Sequence, residues 1–263
     1  MSETPQSVFA RRAAFYTRSA AHTDAAVLDR VVELAQPRPE AIALDVATGT
    51  GHTAFALAPH VRQVIAADIT PQMLDEGRKL KDEWRIDNVE FRLADAHGLP
   101  FADATFDIVA CRRAAHHFTD ISAALREMRR VLKPDGRWVI DDRSVPEDDF
   151  ADATMNRLDW LHDHSHVRQY RPSEWERMLR AAGLVIVAVE PYTRHRPLSS
   201  LTDGVDADEA AEIRRIVAAL TTEQRAAMNV DVKDGETYTQ HWYVMIAGMN
   251  RPVGGMVYFF PDP

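Results

Sequence analysis

The sequence has 263 residues, 46% of them hydrophobic and 27% charged, which is enough apolar material for a sizeable core and excludes wholesale disorder. A net charge of −9 argues against a nucleic-acid-binding surface, and a single cysteine, Cys111, excludes an internal disulfide. The first residues, MSETPQSVFARRAAFY, carry no apolar signal core and no run is long enough to span a membrane, so a cytoplasmic location is expected.

Helical spacing begins at residues 23–34, where Ala26, Val27, Val31 and Leu34 share a face and Pro37 and Pro39 end the run. Residues 41–47 read as a first strand, 51–58 as a helix stopped by Pro59, and 64–68 as a second strand. Thr70-Pro71 is a helix start, with threonine as cap and proline at the first position, and that helix runs to about Trp84. Strands follow at 89–93, 106–111 and 138–141, separated by a helix over 121–132 and a turn at Lys133-Pro134-Asp135-Gly136. Strands alternating with helices predict a doubly wound, mostly parallel α/β sheet. Beyond Asp142 the pattern breaks. Residues 143–172 read as polar, histidine-rich and irregular, 173–182 as a helix capped by Ser173, 184–189 as a strand, 206–227 as one or two helices of a cap, and 238–247 as a final strand. The tail 251–263 reads as a packed extension or a subunit contact.

The chemistry gathers at the glycine turn. In AIALDVATGTGHT (41–53) an apolar strand enters a turn containing Gly49 and Gly51, and a second strand, VIAADI (64–69), ends at Asp68. This arrangement suits an adenosine-containing cofactor, with Asp68 accepting hydrogen bonds from both ribose hydroxyls. Asp45 stands where a nicotinamide cofactor would place its pyrophosphate. A carboxylate there repels a phosphate but favours a cationic amino-acid tail. Asp95, after the third strand, can accept from an adenine amine or can simply cap a helix.

The segments LDVATGTG (44–51), ADITPQML (67–74), ADAHGLPF (94–101), FDIVACRRAAHHF (106–118) and LKPDG (132–136) together resemble class I S-adenosylmethionine-dependent methyltransferases. The branch is the one that includes the ubiquinone/menaquinone C-methyltransferases. DHSHVRQYRPSEW (163–175) resembles a weaker signature of that branch, and Tyr16, Ser19 and His22 its lid helix. Residues 190–235 resemble nothing recognisable. The resemblance implies a Rossmann-like, seven-stranded sheet with an N-terminal lid helix and a helical cap, in one domain. Residues 20–145 would hold the cofactor and 143–235 the acceptor. It also implies S-adenosylmethionine as cofactor. Asp45 and the backbone of Thr48, Gly49, Thr50 and Gly51 would hold the methionine end, with Arg112 and Tyr16 beside it. Ile69 and Met73 would sandwich adenine, and Asp95 with the Ala96 amide would read its edge.

Methyl transfer to carbon or oxygen needs a proton removed, and histidine suits that task. The candidates are His117, His116 and His166, although His116 and His117 could equally pack at a helix start. Arg168, Arg113 and Asp142 are candidates for the acceptor, though Arg168 and Arg112 could instead neutralise Asp141 and Asp142. His162, His164 and His166 read as a solvated or substrate-lining cluster rather than a metal site, and Cys111 as inert core. The partner expected is a small, aromatic or quinone-like acceptor, with no nucleic acid and no membrane insertion. The apolar tail (Met256, Val257, Tyr258, Phe259, Phe260) allows a homodimer. The rival readings are a protein of this fold that binds the cofactor without transferring methyl, and a nicotinamide-dependent oxidoreductase.

Overall fold

Apolar runs at the centre of the chain pair in parallel. They are β1 (Ile42–Val46), β2 (Gln63–Asp68), β3 (Val89–Leu93), β4 (Phe106–Arg112) and β5 (Leu132–Ser144). β6 (Val185–Pro197), β7 (Asp231–Lys233) and β8 (Glu236–Met249) complete an eight-stranded sheet in the computed structural model, which describes residues 9, 10, 13, 17 and 22–251. The path is β3-β2-β1-β4-β5-β8-β6, with β7 pairing off it to β8. β8 is antiparallel to both β5 and β6, so the sheet is mostly parallel and Rossmann-like. The strand order reverses between β1 and β4, and ligands of such sheets sit beyond the carboxyl ends at that point.

Helices cover both faces. On one face α1 (Ala25–Ala35), α2 (His52–Leu57) and α3 (Pro71–Trp84) bury Val31, Phe55 and Leu74 against Ala43, Ala66 and Ile108. On the other, α4 (Ile121–Val131) and α6 (Pro172–Ala181) bury Leu125, Met128, Trp175 and Leu179 against Leu44, Val109 and Trp138. A third core lies away from the sheet centre. α5 (Asp149–His162), α7 (Ser199–Thr202) and α8 (Ala207–Ala218) pack Met155, Leu158, Leu161, Leu201, Ile213 and Val217, and Met228 joins them after α9 (Thr222–Ala227). This is the helical cap. α7, α8, α9 and β7 all lie between β6 and β8, which stay paired out to Pro197 opposite Tyr238.

Four features depart from the sequence reading. Residues 149–162, read as irregular, form α5. Its cap Asp148 accepts from the Ala151 amide at 2.8 Å, and Ala151, Met155 and Leu158 make its buried stripe. Ser173 does not cap α6. Its amide and hydroxyl donate to Glu147, while the Glu174 carboxylate accepts from the Arg171 amide at 3.0 Å. The turn at 133–136 lies within β5 as a bulge, because Phe106 pairs with Leu132 and Ile108 with Arg137. β6 and β8 run well past the expected 184–189 and 238–247, since their outer halves carry polar residues that hide the strand pattern. Tyr16, Ser19 and the tail 252–263 lie outside the described residues.

Candidate active site

β1 delivers Asp45 to the floor of a cleft and then turns sharply. Gly49 (φ 57°) and Gly51 (φ 94°) occupy left-handed backbone that a side chain would strain, and a Cβ on Gly51 would come within 2.9 Å of the Phe91 ring. Gly51 then starts α2. Asp45, buried, accepts from the Thr48 hydroxyl at 2.5 Å and the Ala54 amide at 3.1 Å. Burial pushes its carboxyl up to about 7 despite these bonds. Asp68 at the end of β2 uses one oxygen for the Gly49 amide and the other for the Thr70 amide, each at 2.8 Å, and burial raises it too. Each of its oxygens keeps a second lone pair for a ligand hydroxyl.

These groups open onto one cavity of about 320 Å³. Asp45, Thr48, Gly49, Thr50, Asp68, Ile69, Met73, Asp95, Ala96, Arg112, Arg113 and His117 all line it. Gly51 stands behind the turn, and Tyr16 lies outside the described residues. His22, read in the sequence as part of a lid helix, also lines it, and the sequence reading did not assign His52, Thr53, Thr70, His97 and Phe118, which line it too. Most of them sit within a few residues of the same strand ends, which was the available signal. Asp95 caps no helix. One of its oxygens accepts from the His97 amide at 2.9 Å and faces the His97 ring Nδ1 at 2.6 Å.

Arg112, the last residue of β4, is 8% exposed. Its Nε donates to Thr53 Oγ1 at 2.9 Å and its Nη2 to the His22 carbonyl at 2.7 Å. Its Nη1 is buried without a hydrogen-bond partner, and burial lowers its pKa. The cavity thus combines a guanidinium nitrogen that makes no hydrogen bond with a carboxyl that burial raises to about 7. A carboxylate and an ammonium on one carbon would satisfy both. Arg113 differs. Its Nε donates to Asp141 at 3.0 Å, its Nη2 to the Tyr192 hydroxyl at 2.7 Å, and its plane lies 3.9 Å from the Tyr243 ring centroid. It lines the cavity with its charge already matched.

Of the three candidate bases, only His117 reaches the cavity. Its Nδ1 lies 3.1 Å from both the carbonyl and the hydroxyl of Ser165, and the Phe9 ring meets it edge-on. Burial lowers its pKa. His116 turns away, pairing with Asp142 at 2.5 Å, and burial drives it well below its usual value while Asp142 is pushed up to about 6. His166 faces Asn156 at 3.0 Å and is held down to about 2 by burial and by its charged neighbours. Arg168 pairs with Asp152 and Glu174, not with Asp141 or Asp142, and neither it nor Asp142 touches the cavity. His162, His164 and His166 diverge to Leu201, Glu209 and Asn156. Among the described residues, no histidine, cysteine and acid grouping could hold a metal ion. Cys111 is buried in β4 with its thiol pKa raised. The described wall ends at Thr119, so residues 143–235 act on the cavity from behind, through Ser165 on His117 and Tyr192 on Arg113.

Known proteins share this architecture. The family described as "Methyltransferase domain" matches residues 44–140. The uncharacterized methyltransferase YcgJ of Bacillus subtilis is 38% identical over 191 residues, 73% of this chain and 74% of YcgJ. Its crystal structure matches with a TM-score of 0.81 at 34% identity, over 86% of this chain and 98% of that one. BH2331 from Bacillus halodurans C-125 matches with a TM-score of 0.82 at 30% identity, over 86% and 99%. The ubiquinone/menaquinone biosynthesis C-methyltransferase UbiE of Shewanella frigidimarina is 41% identical over 120 residues. That match covers 44% of this chain and 48% of UbiE, so it spans about half of either protein.

Proposed function

The chain belongs to the class I S-adenosylmethionine-dependent methyltransferases, and from that premise we propose that it methylates a small molecule, aromatic or quinone-like, at carbon or oxygen. S-adenosylmethionine is the cofactor, and when bound it supplies a methyl group activated by a sulfonium. The observation that carries the proposal is the pairing of unmet charge with a neutral base in one cavity. Arg112 Nη1 and Asp45 fit the two charges of an amino acid, and His117, met edge-on by Phe9, has its pKa lowered by burial.

In this reading Arg112 takes the carboxylate, while Asp45 and the turn from Thr48 to Gly51 take the ammonium. Asp68 takes the ribose hydroxyls. Ile69 and Met73 flank adenine, whose edge meets Asp95 and the Ala96 amide. His117 removes the acceptor's proton, and the apolar wall excludes water and aligns the acceptor. The UbiE relative acts in ubiquinone and menaquinone biosynthesis as a C-methyltransferase, which supports a quinone-like acceptor here. Among the described residues that line the cavity, Arg113 is matched by Asp141 and Arg112 is assigned to the cofactor, which favours an acceptor without strong negative charge.

The test is calorimetry with S-adenosylhomocysteine and with NADH, followed by transfer of labelled methyl to a panel of phenols and hydroquinones. Micromolar binding of S-adenosylhomocysteine alone and a labelled product are expected. Binding without transfer across the panel would instead favour a cofactor-binding protein that does not methylate. NADH binding alone would overturn the cofactor site.

A further inference from the structure

Histidine can serve as a base through only one nitrogen at a time, and which nitrogen is decided by what the other one touches. His117 Nδ1 lies 3.1 Å from the Ser165 carbonyl oxygen, which can only accept. It also lies 3.1 Å from Ser165 Oγ. That hydroxyl has one hydrogen, and it is given to Asp163 Oδ1 at 2.6 Å, so toward His117 the hydroxyl too can only accept. The Ser165 amide donates to the same carboxylate oxygen at 2.9 Å, which fixes the turn. Both contacts therefore demand a hydrogen on Nδ1. Ser165 is 3% exposed and lies off the cavity, whereas His117 lines it, so the ring presents its opposite edge to the cavity. Among the described residues no hydrogen-bond partner meets Nε2.

We infer that Ser165, itself oriented by Asp163, is a positioning residue that fixes His117 as its Nδ1–H tautomer and leaves Nε2 as the atom that receives the acceptor's proton. This rests on His117 being the base. In the transfer, the acceptor's oxygen or carbon bonds to the methyl carbon, the electron pair of the broken carbon–sulfur bond stays on sulfur, and the acceptor's proton goes to Nε2. Nδ1–H does not move. The resulting imidazolium faces two Ser165 oxygens with the Asp163 carboxylate behind them, and it returns its proton to water after product leaves. The tautomer is set by a segment 48 residues away in sequence that never touches the acceptor.

Nitrogen NMR of the full-length protein, labelled with 15N-histidine and saturated with S-adenosylhomocysteine, tests this without an acceptor. His117→Gln identifies the resonances. In the wild type, Nδ1 should carry the hydrogen and Nε2 should show a lone pair. Ser165→Ala keeps the carbonyl contact but loses the hydroxyl, and should shift the tautomer ratio about tenfold toward Nε2–H, the scale of one hydrogen bond. A wild-type ring found as Nε2–H overturns the inference, and so does a Ser165→Ala spectrum identical to the wild type. The base assignment fails separately, if His117→Gln still transfers methyl to a phenol or hydroquinone at the wild-type rate.

Discussion

Around the glycine turn the buried ionisable groups are Asp45, Asp68, His52 and Arg112, the last with a bare Nη1. Under the cap they are histidines and ion pairs that satisfy one another. Asp45 and Asp68 are both pushed upward by burial, and Arg112 keeps a bare Nη1. Across the seam between sheet and cap, by contrast, Arg143 pairs with Asp159 at 2.6 Å, and Asp159 also accepts from Gln169. His116 pairs with Asp142, and His162 meets the Leu201 carbonyl at 3.0 Å. The second region supplies opposite charges from within the protein, although Arg143 Nε, like Arg112 Nη1, is buried without a hydrogen bond. What separates the regions is the pairing of opposite charges at the seam, as in Arg143 with Asp159 and His116 with Asp142, rather than complete hydrogen bonding.

The largest effect that distinguishes the two regions is acid sensitivity. His116, His117, His162, His166 and His241 are all held below their ordinary value by burial. A folded pKa below the unfolded one means that unfolding takes up protons as pH falls below about 6.5. Each such group then removes up to about 1.4 kcal/mol per pH unit. Asp45 has the opposite sign, as do Asp142 and Asp159 under the cap, where the lowered histidines outnumber them. With a folded pKa near 7 Asp45 favours the folded state in acid, and that contribution is lost as pH rises from about 4 to 7. Hydrogen exchange should therefore show α5 losing protection near pH 5 while β1 and β4 keep theirs. Equal loss in both regions would remove the distinction.

Leu158→Ala, in the cap core, should cost about 3 kcal/mol in urea unfolding yet leave S-adenosylhomocysteine affinity within about twofold. A large loss of affinity would mean that the cap shapes the cofactor floor directly. Asp45→Asn should do the reverse, weakening S-adenosylhomocysteine by about 2–3 kcal/mol in calorimetry. It should leave apoprotein stability at pH 8 unchanged or raised, because a charge whose desolvation outweighs its attraction to Arg112 is removed. A stability loss there would assign Asp45 to structure. Asp68→Ala should weaken the same ligand by about 1–3 kcal/mol, and unchanged affinity would remove the ribose assignment. His117→Ala should slow transfer roughly a hundredfold while cofactor affinity holds. A parallel drop in melting temperature would support a packing role instead.

The two regions also differed in how far the sequence revealed them. Residues 41–112 carry contiguous apolar strands, so β1 to β4, α3 and the carboxylates at the strand ends could be read from local pattern. α5 could not. Its stripe of Ala151, Met155 and Leu158 is interrupted by Asp152 and Asp159, both buried and both bound to arginines from other segments. A helix that buries acids looks polar until its partners are known. The histidines had the same difficulty. Nothing local separates His116 from His117, yet one faces Asp142 and the other the cavity. Their assignment depends on β5 and on the turn at Ser165, both distant in sequence. The unmet nitrogen of Arg112 likewise depends on Thr53 and His22, which occupy its other nitrogens from 59 and 90 residues away.

The part of the cap between β6 and β8 enters and leaves the sheet at a single closed point. Pro197 and Tyr238 sit opposite one another, and the Leu198 amide donates to the Thr237 carbonyl at 2.8 Å. Everything between 198 and 237 is thus a loop whose ends the strands already hold together, and closure entropy rises only slowly with the length of such a loop. An exchange of this segment between relatives would leave the strand register, the glycine turn and the cofactor floor where they are. The joint makes this segment a separable part: changes within it can repack against α5 while the strands and the glycine turn keep their register.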